Sequence, residues 1–289
     1  MKIAVAIATT GRPEILEATL RCIGQQIRRA DRVVICPAKV ADTTLSAEAC
    51  SPAPFVVHGR PGLPAQRNTL MRAADDMDVV VFFDDDFFAQ PNYLAAVEAV
   101  FSAHAEVVMA TGLVIADGIL GPGLNREEAL HHLSVDSPEA EVVTDVANGY
   151  GCNMAIRMQP VREMALEFDE ALPLYGWLED VDFSRRLAPA GRIVRSTLMR
   201  GVHLGHKGGR ASGIRLGYSQ VANPFYMVSK GSISMRRALR QVARNLLANT
   251  VKTLRPEPWV DRRGRLFGNA IALADAVRGK MHPGRILSL

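Results

Sequence analysis

Short apolar runs alternate with amphipathic stretches over the first two-thirds of the chain, the pattern of an α/β domain. Ile3–Ala8 is apolar at successive positions, which predicts a strand buried on both faces. Thr9-Thr10-Gly11-Arg12-Pro13 follows, with threonines suited to capping and Pro13 to a first helical turn. Ile15, Leu16, Leu20, Ile23 and Ile27 then form one stripe of a helix reaching about Arg28. Further strands are predicted at Arg32–Cys36, Phe55–Val57, Asp78–Phe83, Glu106–Ile115, Glu141–Val146 and Asn153–Arg157, with an extended segment at Arg192–Val202. Helices are predicted from Pro64 to about Ala74, at Asn92–Ala103, Val161–Glu167 and Leu178–Leu187. Residues 116–140 read as a polar excursion holding a short helix around Arg126–His132. Beyond a glycine-rich stretch at 205–217 the chain turns helical and basic.

Composition narrows the class. At 289 residues, 48% hydrophobic and 22% charged, the chain has enough apolar material to fold, as one or two domains. No run of 18 apolar residues predicts a transmembrane helix, and the first apolar run is too short for a signal peptide, so a cytoplasmic protein is expected. Cys22, Cys36, Cys50 and Cys152 form no C-x-x-C pair, which argues for reduced structural thiols over a zinc site or a disulfide framework. The net charge of +4 is uneven: residues 230–289 carry thirteen Lys or Arg against Glu257, Asp261 and Asp275, leaving the preceding body acidic. A body and a tail of opposite sign suggest different partners.

The sharpest chemical signal is Val79-Val80-Val81-Phe82-Phe83-Asp84-Asp85-Asp86, a buried strand ending in three carboxylates. Ligands of open α/β sheets bind at the carboxyl ends of the strands. Alternation sends Asp84 and Asp86 to one side and Asp85 to the other. Two like charges beside Phe83 and Phe87 require a cation, and hard oxygen ligands select Mg²⁺ or Mn²⁺. A second acidic element, Glu179-Asp180-Val181-Asp182, opens a helix, where the dipole alone favours carboxylates. It follows the aromatic loop Pro173-Leu174-Tyr175-Gly176-Trp177, which suggests a sugar platform with a base beside it.

Ile3–Pro13, Gly62–Asn68, Phe83–Asp86, Gly149–Arg157, Trp177–Leu187 and His203–Pro224 together resemble an inverting family 2 glycosyltransferase. Phe-Asp-Asp-Asp matches that family's DXD-type motif and Trp-Leu-Glu-Asp-Val-Asp-Phe its ED motif, in the right order. The resemblance implies a GT-A fold: a mixed, mostly parallel sheet flanked by helices, over residues 1–229, with 230–289 as a basic helical extension. It implies that Thr9, Arg12, Arg67, Asn68, Asp84 and Asp85 face the nucleotide sugar and that Asp86 and His203 ligate Mn²⁺ or Mg²⁺. Lys207 and Arg210 would clamp the diphosphate, with His206 a weaker ligand candidate. Asp180 would be the base, Glu179 would shape the acceptor pocket, and Asn153, Tyr175 and Trp177 would lie on the acceptor side. The aspartate such enzymes often place after the second strand is replaced by Cys36-Pro37, leaving the nucleobase open.

The implied partners are a nucleoside-diphosphate sugar and a saccharide or lipid-linked acceptor, as in cell-surface polysaccharide or glycolipid assembly. A nucleotidyltransferase is the enzymatic rival, though Thr-Thr-Gly-Arg-Pro is short and weakly basic for one. A sugar-nucleotide-binding protein without turnover is the other rival. The absence of G-x-G-x-x-G after the first strand argues against a dinucleotide oxidoreductase. In the tail, Met235, Leu239, Val242 and Leu246 recur at helical spacing beside Arg236, Arg237, Arg240 and Arg244, which suggests an anionic membrane surface. Leu266–Val277 is a second apolar stretch that either adds to that contact or packs inward. Aromatics are too sparse among these charges for nucleic-acid binding.

Overall fold

A computed structural model describes residues 1–43, 50–137, 140–208 and 212–289. Two compact units are found: Met1–Pro61, Ala65–Phe168 and Phe183–Gly209 form the first; Gly62–Pro64, Asp169–Asp182 and Arg210–Leu289 form the second. The boundary expected at residue 229 falls inside the second unit, because the helix ending there packs with the two that follow it.

The chain runs β1 (Ile3–Thr9), α1 (Pro13–Gly24), β2 (Arg32–Pro37), β3 (Phe55–Val56), α2 (Leu63–Ala73), β4 (Val79–Asp84) and β5 (Phe87–Ala89). It continues as α3 (Tyr93–Ala103), β6 (Val107–Asp117), α4 (Arg126–Val135), β7 (Val143–Asp145), β8 (Asn153–Arg157), α5 (Met158–Glu163), α6 (Glu179–Leu187) and β9 (Arg192–His203). The strands form one sheet in the order β3-β2-β1-β4-β8-β6-β9-β5, with β7 also on β9. Among the described residues four pairings are parallel and four antiparallel, and the longest ladders are parallel, so the sheet is mixed as expected. Two of the antiparallel pairings come from β8, which returns between β4 and β6 against both. The predicted central strands are buried on both faces: Ile3, Val5 and Ile7 join one apolar cluster, Ala4 and Ala6 the other.

Several local expectations are corrected. Helix α1 ends at Gly24, not Arg28, and Ile27 is 74% exposed. The side chain of Gln26 instead ties the following turn to the Gln90 carbonyl and the Leu94 amide. Thr9 does not cap α1; its N-cap is Arg12, without a side-chain bond, while Pro13 opens the helix as expected. Helix α5 starts at Met158 rather than Val161, since Pro160 fits the first turn, where no amide partner is needed. It stops near Ala165, whose φ of +46° ends the helical run. The polar excursion includes a longer β6 and α4, which carries a capping box between Asn125 and Glu128.

In the second unit, α7 (Gly213–Ser229), α8 (Met235–Thr253) and α9 (Arg262–Val277) pack around Tyr218, Val221, Ala222, Val242 and Ala272. The tail's expected stripe therefore divides: Val242 and Leu246 pack inward, while Met235 and Leu239 are exposed. In α9, Ala272 is buried, while Phe267, Leu273 and Val277 face solvent. Among the described residues no helix is long and apolar enough to cross a membrane. All four cysteines are buried thiols, and burial raises those of Cys22 and Cys50 to about 11.

Candidate functional site

Parallel pairing aligns the carboxyl ends of three strands: Thr9 lies beside Pro37, and Ala8 beside Asp84. Chain polarity thus delivers the acidic run to the edge where β1 also ends. Behind it, Phe83 stacks on Phe87 at 5.2 Å, and Tyr93 meets both rings edge-on. That aromatic wedge fixes the turn between β4 and β5.

Asp85 is fully buried and faces inward. Its Oδ2 accepts from Thr9 Oγ1 at 2.7 Å, its Oδ1 lies 2.5 Å from an Arg12 nitrogen, and its carbonyl accepts from Thr19 Oγ1. Burial raises its carboxyl above the usual range, and the Arg12 charge opposes that shift. Asp85 and Thr9, both expected at the nucleotide sugar, hold each other in this structure. An inward carboxylate outcompetes a helix end for the Thr9 hydroxyl because a buried charge needs donors.

Asp84 and Asp86 point to the other side, as alternation predicts. His203 joins them because Phe87 is in register with His203 across β5 and β9. Its Nε2 lies 3.5 Å from Asp86 Oδ1 and 3.9 Å from Asp84 Oδ2. Asp86 Oδ2 also accepts from the His206 amide at 2.8 Å and lies 3.3 Å from an Arg12 nitrogen. Burial would lower the His203 pKa, but hydrogen bonds donated to Asp117 and Asp86, with the charges of Asp86 and Asp84, raise it to about 10. His203, the Arg12 charge and the His206 amide hold Asp86 below the usual carboxylate range despite its burial. One ligand atom from each of Asp84, Asp86 and His203 lies within 4.8 Å of the other two. Bonds of about 2.1 Å to a Mg²⁺-sized cation span at most about 4.2 Å between ligand atoms, and the His203 distances to Asp84 and Asp86 are both shorter. The donor set of two carboxylates and an imidazole is compatible with a divalent metal ion.

Arg67 is buried, not on a helix surface. It donates to the Gly151 carbonyl at 2.7 Å, reaches Asp84 Oδ1 at 3.4 Å, and lies 5.5 Å from the ring centroids of Phe82 and Phe168. Asn68, expected at the nucleotide, latches the Phe168 backbone through both amide atoms. Gln66, which sequence reasoning missed, bridges the carbonyls of Thr9 and Cys36 and ties the ends of β1 and β2. The Lys207 ammonium donates to the carbonyls of Gly118 and Ile119, and the His206 ring accepts from the Gly208 amide. Arg210 lies outside the described residues. Asn153 is fully buried; its Oδ1 accepts from Thr111 and its carbonyl from the Tyr93 hydroxyl.

Within the second unit, Leu174, Gly176 and Leu178 all have positive φ, an unusual backbone for two leucines. This kinked loop exposes Tyr175 and hands the Trp177 carbonyl to Asn223. It leads into α6, where the Glu179 amide donates to Gly176 at 2.7 Å. Glu179 and Asp182 are buried; Asp182 is held by Lys230 at 2.9 Å and Ser232 at 2.5 Å. Asp180 alone of the three acids is partly exposed, with Oδ1 accepting from the Val181 amide.

No protein-family profile matches the chain, and no curated protein matches it in sequence. Solved structures do match. S. aureus TarS 1–349 in complex with UDP-GlcNAc superposes with a TM-score of 0.55 at 14% identity, over 99% of this chain and 83% of that one. The mannosyltransferase PcManGT from Pyrobaculum calidifontis, in complex with GDP-Man and Mn²⁺, gives 0.52 at 14% identity, over 99% and 84%. GalNAc-T7 with UDP, GalNAc and Mn²⁺ gives 0.53 at 14% identity, over 98% of this chain but 58% of that one. The chain spans only 40% of the longer TarS chain it matches. The fold is GT-A. In a GT-A sheet the strand-end carboxylates Asp84 and Asp86, with His203, form a DXD-like candidate metal centre.

Proposed function

We propose that the protein is a metal-dependent inverting glycosyltransferase that moves a sugar from a nucleoside-diphosphate sugar to an acceptor hydroxyl. The convergence of Asp84, Asp86 and His203 at the carboxyl edge of a GT-A sheet carries this reading. Asp86 and His203 would hold Mn²⁺ or Mg²⁺, with Asp84 contributing a ligand oxygen or a donor contact. When bound, the cation would neutralise charge on the departing diphosphate. Arg12 holds Asp86 from the side of β1 and, at 17% side-chain exposure, keeps part of its guanidinium available to a phosphate. Asp180 would take the proton of the acceptor hydroxyl, its partial exposure distinguishing it from buried Glu179 and Asp182. Tyr175 and Trp177 supply aromatic surface for a sugar ring, and a saccharide or lipid-linked acceptor suits them. The reading is tested by thermal shift against UDP-, GDP- and dTDP-sugars with and without Mn²⁺. A donor at 100 times its Kd should add about 2.7 kcal/mol only when metal is present. Equal shifts without metal would overturn the metal assignment.

We also propose that helix α8 meets an anionic membrane surface at the inner face of the plasma membrane. Its exposed side carries Leu239, Leu247, Val251 and Leu254 interleaved with Arg236, Arg240, Arg244 and Arg255, a mixture suited to headgroups above an acyl boundary. Each arginine near such a surface contributes about 1 kcal/mol. Arg240→Glu with Arg244→Glu should weaken co-sedimentation with phosphatidylserine vesicles at least about tenfold at low salt. The helical unit stays whole in that variant, which truncation at Lys230 would not allow. Equal sedimentation with anionic and neutral vesicles would remove the membrane contact.

A further inference from the structure

Asp117 ends β6 and lies in register with His203, the last residue of β9. The parallel pairing shifts between Val114 and Ala116, and such an irregularity re-aims the side chains beyond it. The strands are clamped there. The Gly118 amide donates to the His203 carbonyl at 2.9 Å, and a Cβ on Gly118 would lie 2.0 Å from the Leu204 carbonyl oxygen. Only glycine allows that approach.

Asp117 Oδ1 lies 2.9 Å from Nδ1 of His203 and also accepts from the Ile119 amide at 2.9 Å. Its Oδ2 accepts from the Tyr150 hydroxyl at 3.0 Å. The Tyr150 ring stands edge-on to the His203 ring, with centroids 6.1 Å apart at 88°. Asp117 and Tyr150 thus both meet the imidazole, Asp117 at the ring nitrogen other than the one nearest Asp84 and Asp86.

We propose that Asp117 is a positioning residue for the candidate metal centre: it holds His203 by Nδ1 so that Nε2 faces the space shared with Asp84 and Asp86, and Tyr150 holds Asp117 in that rotamer. This rests on reading Asp84, Asp86 and His203 as cation ligands. A neutral imidazole carries one N–H, and a carboxylate at Nδ1 keeps it there, leaving the Nε2 lone pair for the cation. The carboxylate also makes the ring a stronger donor, and loss of such a partner elsewhere weakens metal binding by about 10- to 100-fold. Tyr150 lies in the Gly149–Arg157 segment singled out from the sequence, so that segment acquires a role through His203.

The test is Mn²⁺ titration of the full chain, read from the electron paramagnetic resonance of free Mn²⁺, with near-ultraviolet circular dichroism as the control for folding. Asp117→Ala should weaken Mn²⁺ binding about 10- to 100-fold, Asp117→Asn less, and Tyr150→Phe less again. Because Asp117 acts through the ring, Asp117→Ala should add nothing in a His203→Ala background. A residue needed only for the fold would impose its penalty in both backgrounds, and that result would overturn the proposal. So would wild-type affinity in folded Asp117→Ala and Asp117→Asn. If the wild-type chain binds no Mn²⁺ at millimolar concentration, the ligand assignment falls and this inference with it. Wild-type binding without an Asp117 effect removes the inference alone.

Discussion

Replacing Asp86 by alanine is expected to abolish the metal-dependent part of donor binding. Asp86 is 2% exposed and gathers His203, Arg12 and the His206 amide around one carboxylate. Without it the candidate centre retains one carboxylate, that of half-buried Asp84, and one imidazole. Such a pair holds Mg²⁺ poorly outside a phosphate complex. In the wild-type chain a donor at 100 times its Kd with Mn²⁺ should add about 2.7 kcal/mol, and in the variant the increment from Mn²⁺ should vanish. The variant should also be less stable without ligands by about 3–5 kcal/mol, the cost of leaving buried His203 and Arg12 short of a counter-charge. Asp86→Asn separates the two effects: its amide oxygen still accepts from the His206 amide, but its charge is gone. Thermal melts of all three proteins, with and without Mn²⁺ and donor, read both quantities. An unchanged Mn²⁺ increment in folded Asp86→Asn and Asp86→Ala would remove Asp86 from the ligand set.

The parts of this protein legible in the sequence were those governed by local pattern. Ile3–Ala8 and Val79–Phe83 are apolar at every position, and no arrangement other than burial on both faces suits them. Strand-end alternation was enough to separate Asp85 from Asp84 and Asp86. His203 was legible as a ligand candidate only through family resemblance; its meeting with Asp86 depends on the β5–β9 register, which no local signal encodes. The partners of Thr9, Asn68 and Lys207 were not legible either: each is a polar group that pairs with a buried or backbone group from a distant segment. Asp117 escaped notice for the same reason, since its partner His203 is 86 residues away. The antiparallel part of the sheet was not legible because strand direction is set by connections, and β8 returns the opposite way between β4 and β6.

Changing Asp180 to asparagine should leave donor binding intact and cut transfer by about 10²–10⁴-fold, the usual worth of a positioned general base. The amide has the size of the carboxylate and its oxygen can still accept from the Val181 amide, so the first turn of α6 keeps its geometry. What it loses is the capacity to take a proton from an acceptor hydroxyl. Its neighbours supply the contrast. Asp182 lies in a buried network with Lys230 and Ser232, and Asp169 shares the same lysine. Asp182→Asn should therefore lower the melting temperature and affect turnover only through the loss of folded protein, because Lys230 and Ser232 would lose the buried carboxylate that pairs with them. Glu179 is also buried, behind a loop that holds Leu174 and Leu178 at positive φ, so Glu179→Gln should alter the acceptor KM before it alters the chemical step. The measurement is a transfer assay on each variant beside a donor thermal shift with Mn²⁺. Wild-type turnover in Asp180→Asn would exclude Asp180 as the base, and a collapse of turnover in folded Asp182→Asn would move the role one turn face along α6, to a carboxylate that would first have to leave Lys230.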